Sequence, residues 1–338
     1  MTTAPVLFPI PSISDQPMYE LIWLRHSLPC VQVGQEKGVY DRLAKGAATL
    51  SELATELDLP PRAAEAIVSV SAGLGFLSCG EGDRFSLTEL GRSYLSSESP
   101  FYYGRLMPEE DAHLLKLREA VEKGDGPVDP RAVGMAELDP KMIEDFIGKM
   151  HTWTRSAAGA LAKQKAWSNV RHLLDVGGGS GSLSIATALE HPEFRSTVYD
   201  LEPVCTIAAK NISDVGLSER ISTKVGNMFE SGWPSGHDAV LFGNIFHDWD
   251  EDSCRTFAKN SFEALEPGGR IFLHEMPLNE KKDGPLLVAC FSVSMLIYEK
   301  GKQYTLGELE SFLSEAGFVD FASEPTHAYY HLVSARKP

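Results

Sequence analysis

No two of the five cysteines (Cys30, Cys79, Cys205, Cys254, Cys290) form a Cys-x-x-Cys pair, and their odd number and wide scatter exclude both a disulfide framework and a zinc site. A reducing compartment, the cytoplasm, is therefore expected. No apolar run approaches the roughly 18 residues of a membrane span, and the opening MTTAPVLFPIPSISDQP has neither a basic stretch nor a long apolar run to export or anchor the chain. Positive charge is also scarce: the formal net charge is -16, which repels phosphate backbones and anionic lipid, so neither nucleic acid nor membrane is expected as a partner. Histidines and carboxylates lack ligand spacing on a shared helix or hairpin, so no metal is expected. Internal repeats and low-complexity tracts are missing too.

What is present suffices for two ordinary domains, since the chain has 338 residues and is 43% hydrophobic. The first seventeen residues carry four prolines and read as an extended arm (1–17). From 18 to 100 the apolar spacing is mostly helical. Thr49 or Ser51 caps one short helix, Pro60 and Pro61 open the next, and a strand, a turn at Gly80-Glu81-Gly82-Asp83 and a second strand complete a winged-helix pattern. Such a pattern invites a DNA-binding or cofactor-sensing regulator as an alternative. Asp41, Glu52, Glu56, Asp58 and Glu65 lie on the helices that would have to approach a duplex, which favours a packing or dimerisation module instead. Residues 101–168 read as a helical connector interrupted by GDGPVDP.

Beyond 168 the pattern changes. HLLDV, STVYD, STKV, HDAVLFGNI and GRIFLHEM are short apolar or β-branched runs separated by helical stretches, the signature of an α/β domain (169–338) with a Rossmann-like parallel sheet wound on both faces. The segment LLDVGGGSG joins a buried strand to a helix start through Gly177, Gly178 and Gly179, and the next strand ends in Asp200, placed to accept hydrogen bonds from a ribose diol. The loop is neither the Gly-x-Gly-x-x-Gly dinucleotide fingerprint nor a phosphate loop with its lysine. Asp175 ahead of it suits an ammonium group, which points to S-adenosylmethionine, leaving as S-adenosylhomocysteine. In GNMFE, Asn227 is positioned for the adenine edge, and Met228 and Phe229 for its face. Leu201 and Asn244 complete the residues expected at the cofactor.

Taken together, LLDVGGGSG, VYDLEPV, GNMFE, FHDWDEDSC, ALEPGGRIFLHE and GKQYT resemble the successive motifs of the plant caffeate and isoflavone and animal hydroxyindole O-methyltransferase family, which also includes bacterial antibiotic-tailoring enzymes. The resemblance spans nearly the whole chain. It implies a class I methyltransferase domain behind an N-terminal dimerisation domain, and a homodimer in which each N-terminal region helps close the partner's pocket. It further implies His247 as the base that deprotonates a small-molecule acceptor or as the residue that positions it, Glu275 as the carboxylate that orients the histidine, and Asp248 as a neighbour that shapes the loop. His274 points to the opposite face of its strand by alternation.

The departures bear on the acceptor. Gln303 stands where plant members carry a second glutamate, Asn227 replaces an aspartate, and the family lysine falls at Gly243. Met150, Trp153, Arg155, Phe291, Met295 and Tyr298 are the expected acceptor-lining residues, with Arg155 suited to a substrate carboxylate. Oxygen is the expected methyl acceptor. The alternative within the fold is S-methylation of a small thioether acid such as 4-methylthio-2-hydroxybutyrate, on the route to dimethylsulfoniopropionate, which requires no base.

Overall fold

The computed structural model describes residues 13–104, 112–124 and 139–338. The first twelve residues of the expected arm, and GDGPVDP beyond its leading Gly124, lie outside them. None of the described helices is long and apolar enough to cross a membrane.

The N-terminal region is mainly helical: α1 (Gln16–Trp23), α2 (Ser27–Glu36), α3 (Val39–Ala44), α4 (Leu50–Glu56), α5 (Pro61–Gly73), the hairpin β1 (Leu77–Cys79) and β2 (Phe85–Leu87), α6 (Glu89–Leu95) and α7 (Ala112–Lys123). Of the two candidate caps, Thr49 is the one used. Its hydroxyl accepts from the Glu52 N–H at 3.2 Å while the Glu52 carboxylate accepts from the Thr49 N–H at 3.0 Å, so two otherwise unpaired donors are satisfied at the start of α4. Pro61 then opens α5, where its missing N–H is harmless.

Every residue of α5 from Ala63 to Ser71 is buried, which leaves that stretch no face to offer a duplex. What covers it comes from far along the chain. Helix α12 (Leu286–Tyr298) is apolar on all sides, with every residue from Leu287 to Ile297 buried, and packs on α5 within one cluster that also holds Val33, Leu43, Leu53, Ile67 and Leu117. The packing boundary therefore does not follow the chain, since residues from Met276 to Ile297 belong to the N-terminal core.

Between these lies α8 (Pro140–Ala162), which leads into the sheet. Its strands are β3 (His172–Val176), β4 (Arg195–Asp200), β5 (Ile221–Val225), β6 (His237–Gly243), β7 (Leu265–Glu275), β8 (Val319–His327) and β9 (Tyr330–Arg336), in spatial order β5-β4-β3-β6-β7-β9-β8. Helices α9 (Ser182–Glu190) and α10 (Glu202–Asp214) cover one face with α8; α11 (Glu251–Ala264) and α13 (Leu306–Glu315) cover the other. The five strands from β3 to β7 are parallel, and β3, β4, β6 and the second half of β7 are mostly buried, which is why they read as apolar runs, while β5 at the edge is mostly exposed. The expectation of a wholly parallel sheet needs correction at one edge, where β9 pairs antiparallel with β7 and β8 antiparallel with β9. Strand β8 is mostly exposed and carries Pro325, so it has no apolar run to announce it. Chain order reverses between β3 and β6, opening a crevice at their C-terminal ends where ligands of such sheets bind.

Candidate active site

The glycine loop lies at one side of that crevice. Gly177, Gly179 and Gly181 all adopt positive φ (65°, 56° and 76°), and α9 begins immediately after them. Beneath the loop there is no room: a Cβ on Gly178 would stand 2.8 Å from Asp175 Cγ and 2.9 Å from Val198. Outward, a Cβ on Gly179 would meet nothing within 4 Å, so backbone is presented to open space. Asp200 accepts from the N–H groups of Gly179 (3.0 Å) and Leu201 (2.7 Å), which ties the end of β4 to the loop. Burial nevertheless raises its pKa against those two bonds.

Asp175, expected to face an ammonium group, lies under the loop with no exposed surface and accepts from the Ser184 hydroxyl at 2.6 Å. Burial pushes its pKa up to about 6. Its role as seen here is to hold the loop down from inside. Met228 sits beside Gly177, with its sulfur 3.9 Å from where a Cβ would be. Asn227 Oδ1 accepts from the Phe229 N–H at 3.0 Å. The Phe229 ring, expected on an adenine face, is 40% exposed and packs edge-on to Trp249 and Phe257, at 4.6 and 5.1 Å.

Sequence reasoning missed the cover supplied by α8. His151 reaches Ser180 (3.1 Å) and Ser182 (2.8 Å) through Nδ1, while Arg155 donates to its Nε2 at 3.1 Å. Because guanidinium only donates, His151 accepts at Nε2 and donates at Nδ1, which makes it the neutral tautomer. Burial first, and Arg155 second, lower its pKa accordingly. Arg155 is thus beside the glycine loop. One and two turns earlier, Ile147 and Ile143 pack with Val204 and Leu201 beyond the end of β4.

Across the crevice, His247 lies on a short turn after β6 and is 5% exposed. Its Nδ1 is 2.6 Å from Glu275 Oε2, and Glu275 Oε1 accepts from the N–H groups of Ile245 (3.0 Å) and Phe246 (2.9 Å). The carboxylate is held at three points, which fixes the ring. Nε2 lies 3.3 Å from Asp248 Oδ1. Burial works against the imidazolium, yet the Glu275 and Asp248 carboxylates outweigh it and hold the pKa of His247 well above its ordinary value. His274 faces the other way, as alternation predicts, donating or accepting at Thr326 (2.9 Å) and stacking on Tyr330 at 4.7 Å.

Aromatic rings surround His247. Phe291 of α12 is 5.1 Å from the imidazole, Trp23 of α1 stacks on Phe291 at 4.3 Å, and Trp153 of α8 meets Trp23 edge-on at 5.4 Å. Trp153 donates to the Tyr330 hydroxyl at 2.9 Å, and Asn244, in the left-handed region at φ 58°, borders the same tyrosine. Trp23 and Tyr330 had no signal in sequence, because the first helix and the last strand carry no motif. Of the other expected lining residues, Met295 is buried with Phe291 on α12, Tyr298 lies under Lys116 at 5.2 Å, and Met150 is 40% exposed on α8.

The segment carrying Gln303 is fastened to the His247 turn and to α5. The N–H groups of Lys300 and Gly301 both donate to the Asp248 carbonyl (3.1 and 3.0 Å), and a Cβ on Gly301 would stand 2.2 Å from the His247 carbonyl oxygen, so only glycine fits. Arg62 donates to the carbonyls of Leu296, Glu299 and Gly301. Glu65 and Glu308 together hold Lys282 and Lys302 in a closed, mostly buried square of charges at 2.5–3.0 Å.

Comparison with known proteins matches residues 115–319 to a family described as an O-methyltransferase domain. A similar relative is 3-hydroxy-5-methyl-1-naphthoate 3-O-methyltransferase of Streptomyces sahachiroi, 33% identical over 83% of each chain. Among solved structures, the O-methyltransferase family 2 protein from Planctomyces limnophilus in complex with apigenin has a TM-score of 0.88 at 25% identity, covering 98% of both chains. Human N-acetylserotonin methyltransferase in complex with S-adenosylmethionine shares the fold, with a TM-score of 0.62 at 24% identity over 97% of this chain and 99% of that one.

Proposed function

This chain belongs to the O-methyltransferase domain family and is an S-adenosylmethionine-dependent methyltransferase acting on a small molecule, and from that premise we propose that it methylates an oxygen atom whose proton is taken by His247. The cofactor supplies an electrophilic methyl group on a good leaving group. The loop fits it: open backbone at Gly179, a carboxylate at Asp200 beside it, and Met228 next to Gly177. In this reading Gly177, Gly178, Gly179, Asp200, Leu201, Asn227, Met228 and Asn244 hold the cofactor, and Asp175 holds the loop.

The Glu275–His247 pair carries the proposal. With Nδ1 bonded to Glu275, Nε2, which lies 3.3 Å from Asp248 Oδ1, is the ring atom left to accept a proton. Two carboxylates stabilise the imidazolium formed when the acceptor hydroxyl is deprotonated, and that positive charge is what a methyl transfer needs to see develop away from the nucleophile. A thioether acceptor has no proton to lose, and for it such a device has no use. Trp23, Trp153, Phe291 and Met295 provide the apolar walls that position an acceptor for in-line attack. Arg155, beside the glycine loop, is read as pairing with a carboxylate there.

The N-terminal region is read as a winged-helix dimerisation domain, supported by the exposure of Leu28, Tyr94 and Tyr103 around one apolar groove. Five free thiols suit the cytoplasm. The test is an acceptor screen with methyl-labelled cofactor over phenols, carboxylic acids and methylthio acids, with mass identification of the methylated atom. Oxygen labelling that collapses in His247→Ala supports the reading; labelling on sulfur that survives that substitution overturns it. Light scattering of the purified chain at twice the protomer mass supports the dimer, and a monomer at micromolar concentration overturns it.

A further inference from the structure

Gln303 is 1% exposed, yet neither its Oε1 nor its Nε2 has a hydrogen-bond partner. A buried carboxamide left unpaired at both ends is expensive, and native proteins retain such groups for a reason. Its location supplies one. Lys302 and Tyr304 flank it and point to a common side, with the Lys302 ammonium 5.5 Å from the Tyr304 ring centroid. In an extended segment the intervening side chain points the opposite way. The backbone of the same residue is tied to α12, where the Gln303 N–H donates to Ser292 Oγ at 3.1 Å and the neighbouring Phe291 touches His247.

We propose that Gln303 is an acceptor-recognition residue: its amide pairs with a neutral group that offers a donor and an acceptor side by side, such as a carboxamide or an enolic hydroxyl beside a carbonyl, next to the oxygen to be methylated. The inference rests on the proposed O-methylation at His247 and names the class of acceptor for it. His247 already has carboxylates at both ring nitrogens, Glu275 at Nδ1 and Asp248 at Nε2, so residue 303 is not needed as a further one. An amide adds no charge beside them. Two cations fixed to the same segment are directed elsewhere, Lys302 to Glu65 and Glu308 and Arg62 to three main-chain carbonyls, so neither is available to an anionic partner at this position.

The test uses Gln303→Met, close to glutamine in shape but apolar, with 3-hydroxy-2-naphthamide and 2-naphthol as probes titrated calorimetrically into the full chain saturated with S-adenosylhomocysteine. Losing an unpaired buried amide is expected to raise Tm of the free protein by roughly 2 °C or more. Wild type is expected to bind the naphthamide at least about tenfold more tightly than naphthol, a ratio that falls to near one in the variant. A variant whose Tm drops by several degrees would show that the amide has structural partners at rest and would overturn the proposal. So would an unchanged ratio, or failure of wild type to bind the naphthamide. None of these measurements requires turnover, so they fail separately from His247→Ala, which is read by methyl transfer.

Discussion

The two ends of the crevice are built on different principles. At the cofactor end, side chains hold backbone in place: Asp200 ties two N–H groups, Ser184 ties Asp175, and His151 spans two serines of the loop. At the acceptor end, Gln303 is unpaired at both ends of its amide and Trp23 Nε1 is also without a partner, whereas at the cofactor end Asp175 and Asn244 each leave one oxygen unpaired. A surface that takes one cofactor can be tied down from inside. A surface that must discriminate among acceptors keeps donors and acceptors in reserve, at some loss of stability.

The contrast predicts that damage at one end leaves the other intact. The largest effect belongs to Gly178→Val, whose side chain collides with Asp175 and Val198. Calorimetry should show S-adenosylhomocysteine affinity reduced by about 100-fold or more, and unaltered affinity would mean that the loop is not the cofactor site. His247→Ala should lower kcat by about 100- to 10,000-fold while cofactor affinity stays within a factor of two or three of wild type, about 0.6 kcal/mol. A parallel loss of cofactor affinity would erase the distinction between the ends.

Glu275→Gln sharpens it further through pH. A base must be unprotonated to act, so wild-type activity rises with pH as His247 loses its proton, at a value above the ordinary one because Glu275 and Asp248 stabilise the cation against burial. Removing the Glu275 charge lowers that value, and the rising limb of kcat/KM should move to lower pH. An unshifted limb would assign the titration to another group. Arg62→Met cuts three bonds to the segment before Gln303 and should raise acceptor KM by about three- to tenfold, with cofactor binding untouched. Thr49→Ala, remote from both ends, should cost about 1 kcal/mol of stability by chemical denaturation and leave turnover unchanged.

The same contrast explains what could be read from the sequence. The glycine loop and Asp200 lie within one strand, turn, helix and strand, so their spacing carries their geometry. Glu275 ends β7 and His247 lies on the turn after the adjacent parallel strand β6, so the motifs RIFLHE and FHDWDEDSC lie side by side at the C-terminal edge of the sheet. Trp23, His151, Trp153, Phe291, Gln303 and Tyr330 come from distant segments brought together by packing, and for Trp23, His151 and Tyr330 no local pattern marks the role. Asp175 was legible as a loop residue but not as a buried one, because the serines beneath it are ordinary helix and strand residues in sequence. The antiparallel edge was hidden for a similar reason: an exposed strand has little to distinguish it from a loop.

The sharing of one core between α5 and α12 also sets an order on synthesis. When the ribosome has extended the chain through α7, helices α2 to α7 have formed only part of the apolar enclosure that they need, because Leu287, Val288, Leu296 and their neighbours are still to be translated. Those early helices must remain partly open until α12 arrives, more than 160 residues later by the numbering from Lys123 to Leu286. Completion of the amino-terminal half is thereby made conditional on strands β3 to β7 having been synthesised first, so the protein closes as a whole rather than one half after the other.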